Sequence, residues 1–156
     1  MLDWMIPHNR PTLGKEEEEA ALRVIRSGQL SQDREVRAFE DEFCDFMDLP
    51  RGHAVALSSG SASLYLALWS LNGKGQNILY PSYACSALGN AVKMIGGNEI
   101  VVDNAKDSVN HDIENTKNLK HSIEIIPHMF GIPNKINKTK SRRIVEDCAQ
   151  SLGAKI

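Results

Sequence analysis

Apolar positions recur at helical spacing in the first third of the chain and in short unbroken runs after it. Pro7 and Pro11 bias their predecessors away from helix and keep the N-terminal segment extended. Lys15 to Ser27 (KEEEEAALRVIRS) then places acids in its first turn and arginines toward its end, as a helix dipole favours, and Gly28 supplies a stop. The loop Gln29 to Gln32 leads to a second helix over Glu35 to Met47, with Val36, Phe39, Phe43, Phe46 and Met47 on one apolar face. After Pro50 the period changes. His53 to Leu57 reads as a short strand, broken by Ser58-Ser59-Gly60-Ser61. Ala62 to Leu71 predicts a helix that is apolar almost all round and therefore buried. Asn77 to Tyr80, Glu99 to Val102, Ser122 to Ile126 and Arg143 to Val145 predict four more strands. A helix over Ala84 to Ile95 ends at Gly96-Gly97, and one helical turn falls near Asp112 to Asn118. The Lys- and Asn-rich stretch from Lys117 to Arg143 reads as solvated loop and surface helix.

Strand–helix alternation with short apolar strands predicts an α/β fold, a mostly parallel sheet with helices on both faces. Residues 1–50 form an N-terminal segment with two helices, and residues 51–156 an α/β domain. Composition narrows the function. The chain has 156 residues and a net charge of -2, which gives no field for nucleic acid. No apolar run is long enough to span a membrane, and the start, MLDWMIPHNRP, lacks the apolar core of a signal peptide. With Cys44, Cys85 and Cys148 scattered and odd in number, this predicts free thiols in a reducing cytoplasm.

Three stretches carry candidate chemistry. Ser58-Ser59-Gly60-Ser61 joins a strand to a helix N-terminus, where unpaired N–H groups and partial positive charge suit a phosphate; an ordinary serine N-cap is the alternative. Ile144 to Gln150 (IVEDCAQ) ends an apolar strand in two acids, and open α/β sheets bind ligands outside the carboxyl ends of their strands. An acid there can pair with a cationic ring nitrogen or simply cap a helix. His128, in PHMFG, either faces the same crevice or is a hydrogen-bonded structural residue. The histidines and cysteines never adopt metal-ligand spacing.

Taken in order, SGQLSQ, EVRAFEDEF, HAVALSSGSASLYLAL, ILYPSYACSALGNAV, GGNEIVVD, IIPHMFGIP and IVEDCAQSLGA resemble the DegT-type sugar aminotransferases. These are pyridoxal-phosphate (PLP) enzymes of fold type I. They move an amino group, usually from glutamate, to a keto group on a nucleotide-linked sugar. The resemblance runs from about Pro7 to Lys155. It implies the N-terminal part of the PLP-transferase large domain. It also implies cofactor-binding roles for five positions: Gly60 and Ser61 at the cofactor phosphate, Asp147 at the pyridinium nitrogen, Gln150 beside the ring hydroxyl, and Cys85 where the family stacks an aromatic ring. Pro127-His128 and Gly131 match a motif near the crevice, and Gln29 to Gln32 a loop near the substrate entrance.

The family's Schiff-base lysine lies beyond the EDxAQ motif in an SxHxxK context, which none of the lysines here occupies. No catalytic residue is therefore assigned. The resemblance also implies that the strand over His53 to Leu57 pairs with strands beyond Ile156. The expectation is a chain that is inactive alone and works with a complementary C-terminal chain or within a homo- or hetero-oligomer. The alternative is an inert, truncated remnant or a regulatory or binding module of the same family.

Overall fold

The computed structural model describes residues 10–136 and 143–155. The segment around Pro7 and positions 137–142 of the Lys- and Asn-rich stretch lie outside the described residues. The chain divides into two compact units, Met1–Ala56 and Leu57–Ile156.

The first unit carries α1 (Lys15–Ser27) and α2 (Arg34–Phe46). The Glu17 carboxylate accepts the Gly14 N–H at 2.7 Å, satisfying a donor at the start of α1, and Gly28 closes the helix in the left-handed region at φ 71°. The aromatic face of α2 is less buried than its spacing predicts: Phe39 and Phe46 are 57% and 63% exposed, and Cys44 is the residue the helix buries. Residues 53–57 belong to no strand. Their backbone turns to side chains instead. Ala56 donates its N–H to Glu40 Oε1 at 2.8 Å, and its carbonyl accepts from Gln32 Nε2 at 3.4 Å. Among the described residues no strand pairs with the extended run expected there, and an unpaired strand is not a stable element.

The second unit runs α3 (Gly60–Ser70), β1 (Asn77–Pro81), α4 (Ala87–Ile95), β2 (Asn98–Val102), α5 (Ile113–Thr116), β3 (Ile123–Pro127) and β4 (Ile144–Asp147). The four strands form one parallel sheet in the order β2-β1-β3-β4. Side chains alternate across it. Ile78, Ile123 and Ile125 point to the face covered by α3 and α4, where they bury with Leu64, Leu68, Leu88, Ala91, Val92 and Ile95, and Val145 of β4 packs on the same cluster. Leu79 and Glu124, paired in register, point to the other face, toward the segment that carries His111. Each large side chain buried in such a cluster contributes roughly 1.5–3 kcal/mol. α3 is not buried all round, as its composition had predicted: Leu64 and Leu68 are covered, but Trp69 is 61% exposed.

An arginine fastens the edge where the strands begin. Arg143, just before β4, donates from Nη1 to the Leu71 carbonyl at 2.8 Å and from Nε to the Ser122 carbonyl at 3.2 Å. The C-terminal end of α3 is thereby held at the N-terminal edge of the sheet. Eleven helical residues rise roughly 16 Å, so the start of α3 reaches the opposite edge, where the strands end.

Candidate cofactor site

That opposite edge collects the polar residues of interest. Ser59 caps α3, its Oγ accepting the Ala62 N–H at 3.2 Å, and the Ser63 N–H goes to the Ser59 carbonyl at 3.0 Å. The two preceding donors, the N–H groups of Gly60 and Ser61, find no acceptor among the described residues. A Cβ placed on Gly60 would meet nothing within 4 Å. Two unspent N–H groups at the positive end of a helix are the kind of donors that can take an anion.

Asp147 ends β4 in register with Pro127 of β3. By alternation it shares a face with Val145, the same face that α3 covers. Gly60, Ser61 and Asp147 therefore belong to one face and one edge of the sheet. Asp147 Oδ1 accepts the Ala149 N–H at 3.1 Å, while Oδ2 has no hydrogen-bond partner among the described residues. Gln150 Oε1 accepts the Phe130 N–H at 2.8 Å, and its amide nitrogen has no hydrogen-bond partner among the described residues. Cys85 is exposed in the loop between β1 and α4. Its carbonyl accepts the Leu88 N–H at 3.2 Å. In the first unit, Gln29 and Ser31 line a cavity of about 430 Å³ with residues of α1 and α2.

His128 lies on the other face. Its Nδ1 accepts the Asn134 N–H at 2.8 Å, so Nε2 carries the proton and donates it to Glu146 Oε2 at 3.0 Å. The histidine is the hydrogen-bonded structural residue of the two alternatives. His128, Glu146 and Cys148 have ligand-type atoms within 4.8 Å of one another. A metal would need the Nε2 lone pair, and the Asn134 N–H has already forced the proton onto that nitrogen, so this group is a clasp between β3 and β4. Burial pushes the Cys148 thiol up, and the neighbouring Glu146 carboxylate adds to the shift.

A second polar group escaped the sequence reading. Glu124, fully buried in β3, accepts from His111 Nε2 at 3.0 Å, and His121 Nε2 stands 3.6 Å from its other oxygen. A single acid inside the apolar run IEIIP, with histidines on both sides in sequence, was the available signal.

The model of the DegT/DnrJ/EryC1/StrS aminotransferase family matches residues 11–156. The chain belongs to that family. S. venezuelae DesV, solved in complex with a ketimine intermediate, is 28% identical with a TM-score of 0.78, over 89% of this chain and 40% of that one. The aminotransferase from Psychrobacter cryohalolentis is 26% identical with a TM-score of 0.84, over 94% of this chain and 40% of that one. A GDP-4-keto-6-deoxymannose-3-dehydratase with a trapped PLP-glutamate geminal diamine shares the fold at a TM-score of 0.86 and 23% identity, over 96% and 42%. The chain thus spans about 40% of the length of these DegT-family relatives. No helix among the described residues is long and apolar enough to cross a membrane.

Proposed function

We propose that this chain is the cofactor-binding N-terminal portion of a PLP-dependent aminotransferase. The enzyme would move an amino group from an amino acid, glutamate by the family resemblance, to a keto-sugar carried on a nucleotide, in the cytoplasm. The observation that supports this most is the pair of unspent N–H groups at Gly60 and Ser61, on the same face and edge as the free Asp147 Oδ2. The residues fit the cofactor. Gly60 and Ser61 donate to its phosphate. Asp147 Oδ2 faces the ring nitrogen and keeps it protonated. The amide nitrogen of Gln150 donates to the ring hydroxyl. Cys85 offers a thiol where the resemblance places an aromatic ring. When bound, PLP supplies an electron sink for breaking bonds at the amino carbon.

The lysine that grips the cofactor aldehyde comes, in this reading, from outside these 156 residues. All ten lysines of the sequence lie outside the Ser58–Ser61 and Ile144–Gln150 motifs. A second reading, a module that binds the cofactor or a nucleotide-sugar without turnover, is favoured by Cys85, because a thiol covers less of a ring than an aromatic does. Titration of the purified chain with PLP tests both. The proposal expects binding that Asp147→Ala weakens at least tenfold. Borohydride should produce no one-to-one, Asp147-dependent cofactor adduct until a polypeptide carrying the family's SxHxxK segment is added. Turnover of a keto-sugar by this chain alone would refute the need for a partner. If no lysine-bearing polypeptide ever makes the cofactor reducible, the inert module stands.

A further inference from the structure

The turn after β3 holds two consecutive residues in the left-handed region, Phe130 at φ 55° and Gly131 at φ 77°. Glycine adopts that conformation freely, whereas a bulky phenylalanine does so only where its surroundings impose it. The Phe130 side chain is more than half exposed, so its burial offsets little of the cost. A side chain from a distant loop grips the turn instead. Asn110 lies between β2 and α5 and is buried. Its Oδ1 accepts the Met129 N–H at 3.3 Å, and its Nδ2 donates to the Ile132 carbonyl at 2.9 Å. The two bonds close on either side of Phe130 and Gly131. A backbone N–H only donates and a carbonyl only accepts, so the pairing itself fixes which end of the amide is which. Asn110 is held in its turn. Its N–H donates to Ser108 Oγ at 3.1 Å, its carbonyl accepts the Ala105 N–H at 2.9 Å, and the next residue, His111, bonds buried Glu124 of β3.

We infer that Asn110 is a positioning residue for the candidate cofactor site, acting through this turn on Gln150. The link is short. Inside the grip, the Phe130 N–H donates to Gln150 Oε1 at 2.8 Å, the one hydrogen bond that side chain makes among the described residues. The left-handed backbone at Phe130 sets the direction of that N–H. Without Asn110 the turn relaxes toward negative φ, and the N–H swings away from Gln150. The bond from the His128 N–H to the Asp147 carbonyl, at 3.0 Å, lies ahead of the turn and does not need Asn110. The effect therefore falls on Gln150 and spares the end of β4. The inference rests on the cofactor reading above, in which Gln150 meets the ring hydroxyl, and it adds a residue that touches no part of the cofactor. Loss of one hydrogen bond of this kind lowers affinity about fivefold.

The test uses the purified chain and 4′-deoxypyridoxine 5′-phosphate, which has no aldehyde and so cannot react with surface lysines. Calorimetry compares the parent, Asn110→Ser, Gln150→Ala and the double variant. Amide hydrogen exchange, read by NMR without ligand, follows the turn itself. Each single variant should bind about fivefold more weakly, and the double variant no more weakly than Gln150→Ala, because both changes remove the same contact. The Phe130 N–H should exchange about tenfold faster in Asn110→Ser, while the His128 N–H keeps its protection. Asn110→Asp keeps the acceptor for Met129 and loses the donor to Ile132; it replaces the serine variant if serine unfolds the chain. Phe130 exchange at the parent rate would overturn the grip. Unchanged affinity in either single variant, or losses that add in the double variant, would make Asn110 a purely structural residue and overturn the inference. Parent binding that Asp147→Ala abolishes would leave the cofactor reading standing in each of those cases. No binding by the parent would overturn both.

Discussion

Replacing His111 with leucine should destabilise the second unit by about 3 kcal/mol, the upper end of the range for a hydrogen bond to a charged group. Glu124 has no exposed surface, and it accepts a hydrogen bond from His111 Nε2 at 3.0 Å. The direction of that bond follows from the ring's other nitrogen, which faces the Asn134 side-chain amide at 3.5 Å and leaves the proton on Nε2. Leucine fills much of the imidazole volume, so the loss is mainly one charge-assisted hydrogen bond, roughly 1.5–3 kcal/mol, plus the penalty on the carboxylate left behind. His121, 3.6 Å from the second oxygen, limits the damage. The double variant His111→Leu with Glu124→Leu should recover most of the loss, since two apolar groups can replace a buried pair at little net cost. Urea unfolding of the parent, both single variants and the double variant completes the cycle. If His111→Leu unfolds within about 0.5 kcal/mol of the parent, or the double variant loses the sum of the two single losses, the coupling does not exist.

Two further outcomes follow from the ionisable side chains. The Tyr80 phenol is pushed up to about 12, first by burial and then by its hydrogen bond to Glu99. The fold favours the neutral phenol, so its contribution is intact below the ordinary tyrosine value of about 10 and fades as pH rises through 12. Stability measured between pH 9 and 12 should fall, and Tyr80→Phe should flatten that fall; identical slopes would contradict the assignment. Among the thiols, exposed Cys85 should alkylate first. Cys148, its thiol pushed up by burial and by Glu146, should follow slowly, and buried Cys44 should react only on unfolding. Mass mapping of iodoacetamide adducts reads the order, and Cys148 labelling as fast as Cys85 would contradict it.

Local signals in the sequence carry much of the second unit. Gly96 ends α4 in the left-handed conformation that its position after Ile95 implies, and the apolar runs at Asn77, Glu99, Ser122 and Arg143 each became a strand within a residue or two. Burial is less legible. The run through Trp69 looks uniformly apolar, and nothing local says which side of α3 meets the sheet. His53 to Leu57 has the composition of a strand, but a strand requires a neighbour, which local composition cannot provide. The candidate site divides in the same way. Gly60 and Asp147 are readable because a helix start and a strand end are local features. The link from Glu146 to His128 spans 18 positions, and that from His111 to Glu124 spans 13. The turn at Phe130 also depends on a backbone angle that no residue pattern announces.

The reach of Arg143 bears on the order in which the chain assembles. Its guanidinium waits on a carbonyl made 72 positions earlier, and β4 adds to the sheet only once β3 is in place beside it. During synthesis from the N-terminus, helices α3 and α4 can dock on β1 and β2 through short connections, while the lower rim of the sheet stays unlatched. Closing it is a long-range, late event, and such events slow folding most. Asp147 lies four residues beyond that latch, so the strand end that carries it is among the last parts of the sheet to take shape.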